Sequence, residues 1–573
     1  MNSRPLRQFG KLVIDPALNP GVLDTATWDR QAAWAAVQAI DDRFWPELTH
    51  AAATGAPLPA SDGLHPHATA DRWQETTPLL ASLKDGQQVF LSIGTSSAAA
   101  VLGPPIGSKS LAGQPSVQLA LYPTDAAVVD RYARTLAASR GPQALGPVPR
   151  LGIGTRMTTA VWPAIWATLQ QRPLATNAIQ NSVRELHFLN TLLDGLPSER
   201  NVAFGFGEIE TGYTGSTYEG LWVAGVLDAL RHGPRCAYGA DADHIQVKRG
   251  ADGLARARRL LEATRYYSFY TFDVSDVLNY AAMDSPPPLE STLPDRQTRR
   301  ALLSFHRQGR QIGDYTYRPD ESTLCRLAGK YWGALAAVEA MYAHLKTLKA
   351  DVPFDLELSI DEHPNDLPTF ACLTSENELM FVLLEAERRG IPLTHVAPNF
   401  GVEKGTDYRG EDGLAGLERR ARTLCTLAED CGVMADFHSG DDLSAATRQA
   451  IGRATAGRSH FKVSPNLQLL FADVLADFYP ELFRQWWEDA LAYARRTANS
   501  PFARACLDQT DLNHPSPHDA LFHHFSFAYV GRRSPDGQFL CREQFYTLSP
   551  AFYQAYQQRV VHYLLDLAND LFG

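Results

Sequence analysis

The chain has little cysteine for its 573 residues. Cys236, Cys325, Cys372, Cys425, Cys431, Cys506 and Cys541 are scattered, odd in number and never spaced as CxxC. That spacing speaks against a disulfide framework and against a zinc ribbon, and reduced thiols are expected. No run of 18 uninterrupted apolar residues occurs, so no membrane span is expected. Positive charge is in deficit, with 53 Lys and Arg against 64 Asp and Glu and a net charge of -11. Without a basic field to attract a phosphate backbone, nucleic acid is not an expected partner. The N-terminal MNSRPLRQFGKLVIDPALNP lacks the apolar stretch and small residues of a secretory signal, and a cytoplasmic location is expected. A GxGxxG between strand and helix, a P-loop and a GxSxG elbow are all missing, which removes the mechanical parts of nucleotide binding and serine hydrolysis.

What is present is an ordinary globular composition, 45% hydrophobic and 20% charged. Residues 1–148 are rich in Ala, Pro and Gly and carry β-like runs at 87–94 and 115–123, which predicts an irregular β-containing module. A Gly- and Pro-rich linker follows at 141–149. From residue 149 to about 480, short apolar runs alternate with helix-like segments, the pattern of parallel strands and helices in a TIM-like (β/α)8 barrel. The runs start at Arg150, Leu174, Asn201, Cys236, Tyr267, Asp355, Leu393, Val433 and His460, nine candidates for eight places. The Gly-rich NVAFGFG (201–207) is the one to demote. The Pro-rich stretch at 280–330 reads as an insertion, and residues 481–573 read as a helical extension packed on the barrel.

Polar residues gather where these runs end, and a parallel barrel places its active site at the C-terminal ends of its strands. CAYGADADHIQV offers Asp241, Asp243 and His244, as metal ligands or as helix caps with a structural histidine. SIDEH offers Asp361 and Glu362; neighbours on a strand face opposite sides, so at most one of the two is expected to face the axis directly. DFHSGDD supplies His438, Ser439, Asp441 and Asp442, with His438 either a ligand or a satisfied core histidine. APNFGVEKGTDY adds Asn399, Glu403, Lys404, Asp407 and Tyr408, and GEIETGY adds Glu208, Glu210 and Tyr213. Three clusters of acids and histidine at three strand ends are hard to ascribe to capping alone.

The ordered series LGIGTRM, QNSVREL, GADADHIQV, FDVSD, SIDE, APNF with EKGTDY, and HSG resembles the tagaturonate epimerase family, from about residue 115 to the C-terminus. The chain departs from the family pattern at Thr155, after His438 and in HFKVSPN. The resemblance implies an isomerase that interconverts tagaturonate and fructuronate, or the neutral ketoses, at the carbon β to the ketone. That hydrogen is not acidified by the carbonyl, so the route is either retro-aldol cleavage and re-addition or transient oxidation of the carbinol; the second would ordinarily use a nicotinamide, whose binding fingerprint is missing, and the first is expected. A divalent cation (zinc, manganese or nickel) is expected on His244, Glu362 and His438, with His460 or His524 as further ligands. Glu210, Asp243 or Asp361 would move the proton, with a pKa raised towards neutrality by enclosure. Arg156, Gln180, Arg184, Asn399 and Lys404 would hold the substrate, Arg favoured for a planar carboxylate contact. A ketose isomerase or metal-dependent sugar aldolase, or a non-catalytic barrel subunit of a tagatose-bisphosphate aldolase, are the alternatives. A small sugar is the expected partner, and a homo-oligomer is an open possibility.

Overall fold

The structure is a computed structural model that describes residues 7–573 except 10–11, 15–28, 68–71, 158, 182–199, 204–206, 211–213, 215, 234–235, 364–366, 404, 439, 441, 528, 533 and 535–538. Its centre is a closed barrel of eight strands, β1 (Arg150–Gly154), β2 (Ala175–Asn181), β3 (Tyr238–Gln246), β4 (Phe269–Asp273), β5 (Asp355–Ser359), β6 (His395–Ala397), β7 (Met434–Phe437) and β8 (His460–Val463). All eight pairings are parallel, and β8 closes on β1. Of the NVAFGFG segment, the described residues stand outside the barrel, where Arg200–Ala203 pairs antiparallel with Gly207–Glu210.

Helices flank the strands in the order a barrel requires, and their buried faces meet the outward residues of the strands, such as Tyr270 and Phe272 on β4 or Phe461 and Val463 on β8. The excursion between β4 and β5 holds three helices (Ala281–Asp284, Leu289–Thr292, Arg296–Arg307) and a hairpin (Arg310–Ile312 with Tyr315–Tyr317). It returns through the 29-residue helix Glu321–Lys349. After β8, five α-helices follow among the described residues, and the last, Pro550–Phe572, lies against the helices Trp162–Gln171 and Ala445–Thr455. Arg448 pins it through Asp570 at 2.7 Å.

The N-terminal region is more regular than its composition predicts. Five antiparallel strands stand in the order Leu64–His67, Thr76–Leu83, Gln88–Gly94, Gln114–Tyr122, Gly107–Leu111. One face packs under the helices Arg30–Gln38 and Phe44–Thr54 through Leu79, Leu91 and Trp45. The other sends Leu80, Phe90 and Tyr122 towards the barrel's helical shell, with Phe90 stacked on Tyr132 at 3.9 Å. Burial on both faces explains why Thr76–Leu83 shows no alternation of exposed residues.

The linker is part of the barrel rather than a free tether. Leu145 and Gly146 donate backbone N–H groups, each at 2.9 Å, to the Asp355 carboxylate at the barrel floor. Arg150 meets the same carboxylate at 3.1 Å and also donates to Asn177 Oδ1. The seven cysteines form no disulfide among the described residues. Among the described residues no helix is long and apolar enough to cross a membrane.

Candidate active site

Strand alternation sends every second side chain inward, and here many of those residues are charged. Asp241 and Asp243 of β3, Thr271 and Asp273 of β4, Glu357 of β5, Asp436 of β7 and His460 and Lys462 of β8 are all buried. His244 should face outward by the same alternation. It does not, because the pairing of β3 with β4 shifts between Ala242 and Ile245, and His244 takes a positive φ of 54°. A bulge re-aims a side chain in this way, so Asp243 and His244 both serve the interior.

At the C-terminal rim, two histidines stand with ring centroids 4.9 Å apart and nearly perpendicular, His244 and His438. Each is steered by a carboxylate on one ring nitrogen. His244 Nδ1 lies 3.1 Å from Asp273 Oδ2, and Asp273 is itself held by Gln246 Nε2 at 2.9 Å and the Ser275 N–H at 3.0 Å. His438 Nε2 is hydrogen-bonded to Glu357. The remaining nitrogens lie beside the rim acids, His244 Nε2 at 3.8 Å from Asp243 and His438 Nδ1 at 3.3 Å from Asp361. Ligand atoms of His244, Asp273 and Glu362 lie within 4.8 Å of one another. A carboxylate behind each imidazole is the arrangement that orients histidine ligands and raises their basicity.

The electrostatics agree. Burial disfavours charge on both imidazoles, but Asp243 and Asp273 raise His244, and Asp361 and Glu357 raise His438 well above the usual histidine range. Protons are thereby drawn to positions where a cation would be held. The acids move the other way. Burial opposes it, but His244 and Lys462 hold Asp243 down to about 2, and His438 holds Asp361 below its ordinary value.

A sequence model of the tagaturonate epimerase family matches residues 208–564, which takes in six of the eight barrel strands and most of the C-terminal helices. The chain belongs to this family. A curated relative from Thermotoga maritima, tagaturonate/fructuronate epimerase, is 31% identical over 305 residues, 52% of this chain and 58% of the relative's length. The native structure of fructuronate-tagaturonate epimerase from Cohnella laeviribosi shares the fold, with a TM-score of 0.65 and 21% identity over 89% of this chain and 96% of that one. A glycerol complex of the same Cohnella enzyme gives a TM-score of 0.64 and 20% identity over the same shares.

In this family member the fold brings His244, His438, Asp243, Asp361 and Glu362 to one rim, although they come from the ends of three different strands. Asp361 and Glu362 both lie beyond the end of β5, so the strand pleat does not set their directions as expected. The turn directs Asp361 to Ser359 Oγ and His438, while Glu362 joins His244 and Asp273. The expectation of acids with raised pKa is also corrected for Asp243 and Asp361. The groups burial does raise lie deeper: Asp241, raised to about 7, and Asp436, well above its ordinary value.

Gln180 donates to Asp243 at 3.1 Å, and Arg156 sits where β1 ends, donating to Ser464 at 2.6 Å where β8 ends. Asn399 is buried and shapes its own turn, its Oδ1 accepting from the Gly401 N–H at 2.8 Å. His460 lies a layer lower, 2.7 Å from Asp436 and packed on His395 and Phe269. His524 is on the C-terminal helix Ala520–Phe525, against Gly405. Arg184, Lys404, Ser439, Asp441, Tyr213 and the side chains of Glu208 and Glu210 lie outside the described residues.

Sequence reasoning missed Asp273 as a partner of His244, and missed Glu357, Asp436 and Lys462 altogether. A signal existed: DLELS and HFKV interleave polar with apolar residues at a period of two, and the same alternation starts at Asp436 in DFH, which marks an inward polar face.

Proposed function

We propose that the chain is an isomerase that interconverts tagaturonate and fructuronate at the carbon β to the ketone, with a divalent cation at the rim. The observation that carries this reading is the pair of facing imidazoles, each backed by a carboxylate, beside the ionised acids Asp243 and Asp361. Family membership and the name of the Thermotoga relative support the substrate class.

His244, His438 and Glu362 are the residues that would hold the cation, a mixed nitrogen and oxygen set suited to zinc, manganese or nickel. When bound, it would supply Lewis-acid polarisation of the ketone. The remaining work falls to the chain. An ionised Asp361 or Asp243 removes the proton from the β hydroxyl, the bond between the α and β carbons breaks, and its electron pair passes to the α carbon and the ketone as an enediolate. The β carbon becomes an aldehyde. After the aldehyde turns, the enediolate attacks its other face and the same carboxylic acid returns the proton to the new alkoxide. The lowered carboxylate pKa values keep Asp243 and Asp361 ionised at neutral pH, the protonation state from which a base starts. Arg156, at the mouth of the barrel, is suited to the substrate carboxylate.

The test is incubation with Mn2+, Ni2+ or Zn2+ and each of fructuronate, tagaturonate, fructose and tagatose in D2O, followed by proton NMR. The expected result is epimerised uronate with six carbons, an unmoved ketone and a retained hydrogen on the inverted carbon. Deuterium at that carbon, or accumulation of three-carbon fragments, would sink the reading.

A further inference from the structure

Beneath the rim lies a charged group that the proposed chemistry does not use. Lys462 is buried on β8, with Nζ 2.8 Å from Asp243 Oδ1, 2.8 Å from Thr271 Oγ1 and 2.9 Å from Glu357 Oε2. An ammonium has three N–H donors, and these are three acceptors at hydrogen-bond distance. Asp241 at 3.3 Å and Asp436 at 3.8 Å complete the surround. Gly152 makes the approach possible, since a Cβ there would stand 3.0 Å from Lys462 Cγ and 2.5 Å from Gln180 Oε1.

The connections run upward. Glu357 gives one oxygen to Lys462 and takes His438 Nε2 on the other. Asp243 gives one oxygen to Lys462 and accepts from Gln180 on the other. One ammonium therefore touches a rim acid, Asp243, directly and reaches a rim histidine, His438, through one carboxylate.

Two other roles are open to such a lysine and its surroundings. An imine-forming lysine needs a neutral amine with a clear line of attack, whereas four carboxylates favour and enclose the charged form here. Glu357, Asp436 and His460 also place ligand atoms within 4.8 Å of one another, as a second cation cage would. Lys462 already stands in that cage, and a dication beside it would meet like-charge repulsion.

We propose that Lys462 is a positioning residue whose ammonium is the built-in cation of this lower cage, fixing Glu357 and Asp243 and, through them, the aim of His438 and of the rim base. The proposal rests on the reading of the rim as the cation and substrate site.

The experiment measures Mn2+ binding to the full chain by isothermal titration calorimetry, and steady-state kinetics on fructuronate, for the wild type, Lys462→Met, Glu357→Gln and the double variant. Lys462→Met should weaken Mn2+ roughly 10–100-fold and lower kcat by about 100-fold with KM little changed. The double variant should bind Mn2+ no more weakly than the worse single variant, because both break one link. Unchanged Mn2+ affinity in Lys462→Met overturns the positioning role. Two measurements on the wild type stand even if that variant does not fold: two Mn2+ per chain, or a sugar adduct on Lys462 after borohydride reduction, would each overturn it. Wild type that binds Mn2+ but turns over neither uronate sinks the functional reading alone, and wild type that binds none of Mn2+, Ni2+ and Zn2+ sinks both.

Discussion

The floor and the rim of the barrel both bury charge, and they satisfy it differently. At the floor, Asp355 accepts from Arg150 and from two backbone N–H groups of the linker, and Arg150 also reaches Asn177 and Gly146. Every contact is made by the chain to itself. At the rim, His244 and His438 each commit one nitrogen to a carboxylate and leave the other beside Asp243 or Asp361. The floor network is closed within the chain, whereas under the proposed function the half-committed histidines of the rim hold a position for the cation. The outer shell repeats the closed pattern in Glu385, which is buried between His306, Arg388 and Arg389.

Breaking the rim should show most in function. His438→Ala is expected to abolish Mn2+ binding and lower turnover about 1000-fold or more, while the melting temperature changes little. Retained Mn2+ and full activity would erase the distinction between the two regions. At the floor the expected effect is on stability. Asp355→Ala strands the Arg150 guanidinium and should cost about 3–5 kcal/mol in denaturant unfolding, with one Mn2+ still bound per folded chain. A smaller stability effect belongs to Glu385. Burial opposes it, but His306 and Arg388 hold its pKa down to about 2 from 4.5. A depressed carboxylate contributes stability that is full above about pH 4.5 and is lost as pH falls through about 2. Glu385→Gln should therefore lower stability at pH 7 by about 2–3 kcal/mol and flatten the acid limb between those values. The smallest effect sharpens the comparison at the rim itself: Asp273→Asn, which keeps the shape behind His244, should weaken Mn2+ roughly 10–100-fold. No change there would mean that Asp273 does not orient the histidine.

The eight strands were legible because inward and outward residues of a barrel follow a fixed period and each run is followed by a helix. NVAFGFG was separable by its glycines alone. His244, His438, Asp361 and Glu362 were legible as strand-end clusters, but their directions were not. The turn of His244 depends on a bulge in the pairing of β3 with β4, and the divergence of Asp361 from Glu362 depends on β5 ending at Ser359. The pKa pattern was beyond a linear reading, since Asp243 is held down by His244 next to it but also by Lys462, 219 residues away.

Local sequence thus settled which segments form the barrel strands, which ends carry acids and histidines, and which family the chain resembles, because periodicity, turn residues and ordered motifs are properties of neighbours along the chain. The tertiary structure alone decided that a lysine from the last strand sits between carboxylates of the third, fifth and seventh, and that a linker plugs the floor. Closing the barrel brings together residues that share no local signal, and in a buried interior the charge of each depends on which of the others it meets.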